Sequence, residues 1–117
     1  VKPSYGLTDE QVERMIQESY ERAEEDLRER QVREARLEAD AILAPTEKAK
    51  QHDAYFELSE EERARIEAAE NELLLVYHGE DHRLIRTMIE QLNAVTMKLA
   101  ENMMSSAVRR ALKGTKI

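Results

Sequence analysis

The chain has 117 residues and a formal net charge of −7, with 37% charged and 41% hydrophobic residues. That mixture is too apolar for a disordered tail, and the acidic balance argues against nucleic acid as a partner. The lack of cysteine excludes a disulfide scaffold, a zinc–thiolate site and a cysteine nucleophile. Three glycines and two prolines are too few for a turn-rich β-sandwich.

No stretch approaches the roughly 20 apolar residues needed to cross a bilayer, and no signal-peptide core opens the chain. No membrane partner is therefore expected, and a cytoplasmic location is. The start at Val1 rather than Met suggests a piece of a longer protein.

Residues 1–7 read as an extended linker, with Pro3 and Gly6 as punctuation. Thr8 and Gln11 form a capping box, with Leu7 and Val12 at the spacing of a hydrophobic staple. Asp9 and Glu10 place negative charge at the positive end of the helix dipole. Val12, Ile16, Tyr20, Ala23 and Leu27 then recur in steps of three and four and predict one helix face. The stripe is narrow and ends at Leu27, because Gln31 takes the next position. Pairs such as Glu18–Arg22 and Glu29–Arg33 fill the other faces, each adding a few tenths of a kcal/mol at most. A helix of about 35 residues would reach roughly 50 Å, and so narrow a stripe cannot bury it. Part of the rod must stand clear or lie on another body.

Pro45 removes a backbone donor and clashes with the carbonyl of Ala41, so a kink or break is expected between Ala41 and Pro45. Residues 51–57 look like a loop or weak turn. Ser59 and Glu62 form a second capping box, followed by a core stripe of Ile66, Ala69, Leu73 and Val76 or Tyr77. Gly79 stands where a left-handed helix terminator would go. Asp81 caps a last helix that carries the strongest stripe: Ile85, Met88, Leu92, Val95, Leu99 and Met103, with Leu84 and Ile89 beside it. Arg109, Arg110 and Lys113 suit its negative end, and Gly114 closes it. The expected fold is all-α: a helical arm over 8–43, an antiparallel bundle over 44–114 and a tail at 115–117.

Chemistry-bearing patterns are sparse. His78 and His82 are four apart, the spacing of a helical metal pair, but Gly79 in the expected turn separates them. There is no glycine-rich phosphate loop, nucleophile elbow or His-Glu-x-x-His run. Met88 and Met103 read as core, while Met97 and Met104 lie off the main stripe. No residue looks catalytic, and neither a metal nor a cofactor is expected in these residues. A non-enzymatic binding or regulatory piece follows, and one form it could take is a self-standing coiled-coil adaptor. A sustained heptad would favour that form, and the rod lacks one beyond Leu27.

Several motifs carry a family resemblance. Val1-Lys2-Pro3-Ser4-Tyr5-Gly6-Leu7-Thr8-Asp9, Met15-Ile16, Ala23-Glu24, Gly79-Glu80-Asp81 and Val108-Arg109-Arg110-Ala111-Leu112-Lys113-Gly114 resemble the DnaK-like chaperones of the heat shock protein 70 family. The two end motifs resemble its branch specialised for iron–sulfur cluster assembly. The resemblance implies a helical lid, with a short first helix and a long second one over a peptide-gripping β-sandwich and a bundle beyond. It implies ATP in a separate N-terminal domain, the iron–sulfur scaffold IscU as client and the J-domain protein HscB as co-chaperone. It also places an acidic latch to the sandwich at Asp40. Ala44 and Pro45 stand where a supporting histidine is usual, so the latch would be reduced, and Asp40 as a plain solvated charge fits equally well. Leu7, Val12, Met15, Ile16 and Tyr20 would form the arm face resting on the sandwich. Without that sandwich, the face should drive weak homodimerisation.

Overall fold

The computed structural model describes residues 6–114, so linker residues 1–5 and tail residues 115–117 lie outside the described part. Four helices follow one another: α1 (Asp9–Ala49), α2 (Asp53–Phe56), α3 (Glu60–Tyr77) and α4 (His82–Lys113), with no strand among the described residues. The molecule is a rod of 93 × 34 × 16 Å.

Each long helix starts where short-range hydrogen bonding dictates. Thr8 Oγ1 accepts from Gln11 N at 3.2 Å, and Gln11 Oε1 accepts from Thr8 N at 2.8 Å. Ser59 and Glu62 repeat the box at 3.2 and 3.4 Å. Asp81 Oδ1 accepts from the backbone N–H groups of both Arg83 and Leu84 at 3.1 Å. Such caps satisfy donors that have no partner within the helix.

The arm differs from expectation. α1 is one helix of 41 residues, not a short helix followed by a long one, and it passes through Pro45 to Ala49. Pro45 leaves the Ala41 carbonyl without its helical donor. Ala41 and Pro45 are both exposed, so that carbonyl faces water. Beside them Thr46 and Ala49 are buried, and Thr46 Oγ1 donates to Ile42 O at 2.7 Å. Packing beside the proline thus keeps continuous a helix that would otherwise break. The outer apolar stripe ends at Leu27, and a second stripe on another face of the helix, Val32, Ala35, Ala39, Thr46 and Ala49, is buried in the bundle. The second half of α1 is therefore part of the bundle, which starts near Val32 rather than at residue 44.

The core joins these small residues to Ile66, Ala69 and Leu73 of α3 and to Ile85, Ile89, Leu92 and Leu99 of α4. Ile66, Leu73, Ile85 and Leu92 are wholly buried, Leu99 nearly so, while Met88, Val95 and Met103 are half-buried against them. Within 51–57, where a loop was expected, the short helix α2 forms. His52 Nδ1 accepts from Ala54 N at 3.0 Å, and Ala54, Tyr55 and Leu58 close the end of the core. Burial raises the Tyr55 hydroxyl above its ordinary pKa. Gly79 is not left-handed; among the described residues Gly6 alone has a positive φ, 77°. The φ of Gly79 is not positive, and the absence of a side chain matters there because a Cβ would sit 3.2 Å from Val76 O.

Candidate functional site

Two features could act on another molecule: the free face of the arm and the junction where α3 turns into α4.

The first lies on α1 before it enters the bundle. Residues 9–31 extend it by roughly 35 Å. Leu7, Val12, Met15, Ile16 and Tyr20 are 40–70% exposed. Together with Ser19 and Ala23 they line one shallow apolar concavity. Ile16 at 53% and Tyr20 at 70% exposure are side chains a monomer ordinarily covers, and a contiguous apolar patch of this kind marks a docking surface. Counted at 3.6 residues per turn, this stripe sits roughly 0.4 of a turn from the buried stripe of Val32, Ala35 and Ala39. It is therefore a separate face from the one the helix buries in the bundle.

The second feature holds Asp40. Tyr77 Oη, at the end of α3, donates to Asp40 Oδ1 at 2.7 Å. That hydrogen bond raises the tyrosine pKa, because ionising the phenol would lose a bond to a carboxylate. One turn earlier on α1, Arg36 Nε donates to Tyr77 O at 2.9 Å, and Nη2 donates to His78 O and Gly79 O at 3.1 and 3.0 Å. Helix α3 has no basic residue in its last turn, so a cation from a different helix covers its terminal carbonyls. Asp40 is exposed but already engaged within its own chain. The sequence places Tyr77 in the α3 core stripe and does not show its bond to Asp40 or the contacts Arg36 makes. The available signal was the Arg36–Asp40 spacing on a helix opposite a turn with no cation of its own.

The remaining candidates stay apart. His78 caps the end of α3 and His82 begins α4, so they share no helix, and His82 Nδ1 lies 3.4 Å from Arg86 Nη1. Among the described residues, no three histidine, aspartate or glutamate side chains gather as a metal would require. No helix among them is long and apolar enough to cross a membrane.

An arm with an open apolar face, continuing into a bundle clamped by Arg36, defines an all-α module. Comparison with known proteins gives it a family. The model described as "Hsp70 protein" matches residues 1–105. The chaperone protein HscA of Photorhabdus laumondii is 42% identical over 114 residues, which is 97% of this chain and 18% of that protein. HscA homologs of Azoarcus sp. and Cupriavidus taiwanensis are 41% and 39% identical over all 117 residues, 19% of each relative. The chain belongs to the Hsp70 family, and it spans about a fifth of the length of the HscA relatives it matches.

Proposed function

We propose that this chain is the helical lid of an Hsp70-type chaperone of iron–sulfur cluster assembly, closing over a bound client peptide and slowing its release. The observation that carries the reading is the exposed arm face of Leu7, Val12, Met15, Ile16 and Tyr20 on a helix standing clear of its own bundle. A lid needs such a face to rest on a peptide-binding domain and a rigid handle to move it. The continuous α1, anchored by Arg36 and by the small-residue stripe, supplies the handle. In this reading the face meets the protein's own β-sandwich, and Asp40 adds a polar contact once Tyr77 releases it. ATP is bound and hydrolysed in a separate domain, and the resemblance to the iron–sulfur branch supports IscU as client and HscB as co-chaperone.

The test joins this chain to a matching β-sandwich domain and follows release of a labelled peptide. The lid should slow release by at least about tenfold, a difference of about 1.4 kcal/mol. Ile16→Glu should cancel the effect, while Leu75→Glu, at a site 83% exposed on α3, should not. Equal release rates with and without the chain would refute the lid.

A further inference from the structure

Helices α1 and α4 lie side by side and run in the same direction. Arg86 near the start of α4 pairs with Glu34 and Glu38 of α1, and Met103 far along α4 lines one groove with Ala49 at the end of α1. Helix α3 packs on one side of this pair, where Tyr77 bonds Asp40 and Glu62 pairs with Lys98. Pro45 lies roughly 0.4 of a turn around α1 from Asp40, and Asn93 as far around α4 from Lys98, so the groove they line opens on the other side. Its volume is about 670 Å³. Ile42, Ile89, Leu99 and Met103 make an apolar floor, and the exposed Ala41 and Ala100 make low walls. None of these residues belongs to the arm face. The groove begins 11 residues beyond Leu27, roughly 16 Å further along α1.

The lips of the groove are polar and acidic. Pro45 lines it next to Ala41 and leaves the Ala41 carbonyl without its helical donor, so an open acceptor stands on the α1 lip beside Glu38. On the α4 lip Asn93 is exposed, and the exposed Glu90 and Glu101 follow the same edge. Along the groove the four carboxylates of Glu34, Glu38, Glu90 and Glu101 face two cations, Arg86 and Lys48. Arg86 is already paired with Glu34 and Glu38. Glu90 and Glu101 enter no ion pair among the described residues.

We infer that this groove takes one amphipathic helix of another protein, with an apolar stripe and basic flanks. The stripe fills the floor, and lysine or arginine heads reach the Ala41 carbonyl and Glu38 on one lip and Glu90 and Glu101 on the other. An extended peptide would strand its backbone groups over the apolar floor, whereas a helix bonds its own. From Ile89 to Met103 the floor runs roughly 21 Å, about 14 residues of helix. The dipoles of α1 and α4 point the same way, so the incoming helix lies antiparallel to both and completes a four-helix bundle with α3. Pro45 acquires a role here, since the acceptor it denies to its own helix is the one the partner uses. The inference does not rest on the lid reading. It leaves the arm face to the sandwich, and Asp40 lies on a different side of α1.

Two designed helices of about 14 residues serve as probes, both with a leucine stripe, one with lysine flanks and one with glutamate flanks. Added to the isotope-labelled chain, the lysine peptide should shift the backbone amides of Ala41, Asn93 and Ala100 and leave those of Val12 to Tyr20 in place. It should bind at least about fivefold tighter than the glutamate peptide. Ala100→Phe fills the groove from an exposed position and should weaken binding at least about tenfold. Pro45→Ala returns a helical donor to the Ala41 carbonyl and should weaken binding about threefold to tenfold, with the fold intact. Glu90→Lys combined with Glu101→Lys should erase the preference between the peptides. Five results would each overturn the inference. They are shifts centred on Val12 to Tyr20, equal binding of the two peptides, unchanged binding in both Ala100→Phe and Pro45→Ala, groove shifts that grow with chain concentration without peptide, and no shift at about 1 mM peptide.

Discussion

Lys50→Met should cost this fold about 1–3 kcal/mol near neutral pH and much less in acid. Glu70 of α3 is 3% exposed within the core, and Lys50 Nζ, at the end of α1, lies 2.9 Å from its Oε1. The same ammonium lies 3.5 Å from Glu47 Oε1, so one cation serves two carboxylates. Removing one partner of a fully buried pair costs about 3–5 kcal/mol. Lys50 keeps 22% of its side chain in water, so screening lowers the figure. Burial holds the Glu70 carboxyl above its ordinary value of 4.5, against the pull of Lys50. Hydrogen bonding to Glu70 and the charge of Lys50 hold Glu47 below its own. A folded-state value that is raised means the fold favours protonated Glu70. Its contribution is present below the ordinary carboxylate range and is lost as pH rises through the raised value. Without the ammonium the raised value climbs further, so the loss on going from acid to neutral grows. Urea denaturation at about pH 4 and about pH 7.5 reads this directly. Lys50→Met with Glu70→Leu should return to within about 1 kcal/mol of the starting chain. An equal loss for Lys50→Met at both pH values would refute the unpaired-carboxylate argument.

Leu92→Ala, at a wholly buried position, should cost about 2–5 kcal/mol in chemical denaturation. Glu29→Ala, on the exposed arm, should change stability by no more than about 0.5 kcal/mol, and equal effects would erase the division into core and arm. Pro45→Ala should raise stability by about 1–3 kcal/mol, since it restores a donor to Ala41 in a helix that already continues; a loss would show that the proline ring itself is needed. In the chain joined to a β-sandwich, Asp40→Asn should speed peptide release and Tyr77→Phe should slow it, because the tyrosine holds Asp40. Release rates unchanged in both would leave Asp40 a surface charge.

Some of this architecture follows from neighbours three or four residues apart, and that part was legible in the sequence. The two capping boxes, the Asp81 cap, the α3 and α4 stripes and the open face of Val12, Ile16 and Tyr20 all depend on bonds and faces within one or two helical turns. Other features depended on contacts between residues about 20 to 50 positions apart, which no local pattern encodes. Ala35 and Ala39 look neutral in the chain, yet they are wholly buried because helices approach closely where side chains are small. Pro45 carries a strong local instruction to break the helix, and packing around Thr46 and Ala49 overrules it. Asp40 reads as a free latch until Tyr77 arrives from α3, and Glu70 reads as one more solvated carboxylate until Lys50 meets it in the core. Local hydrogen bonding decides where a helix begins and which face is apolar; only tertiary packing decides how far the helix runs and which of its charges lose their water.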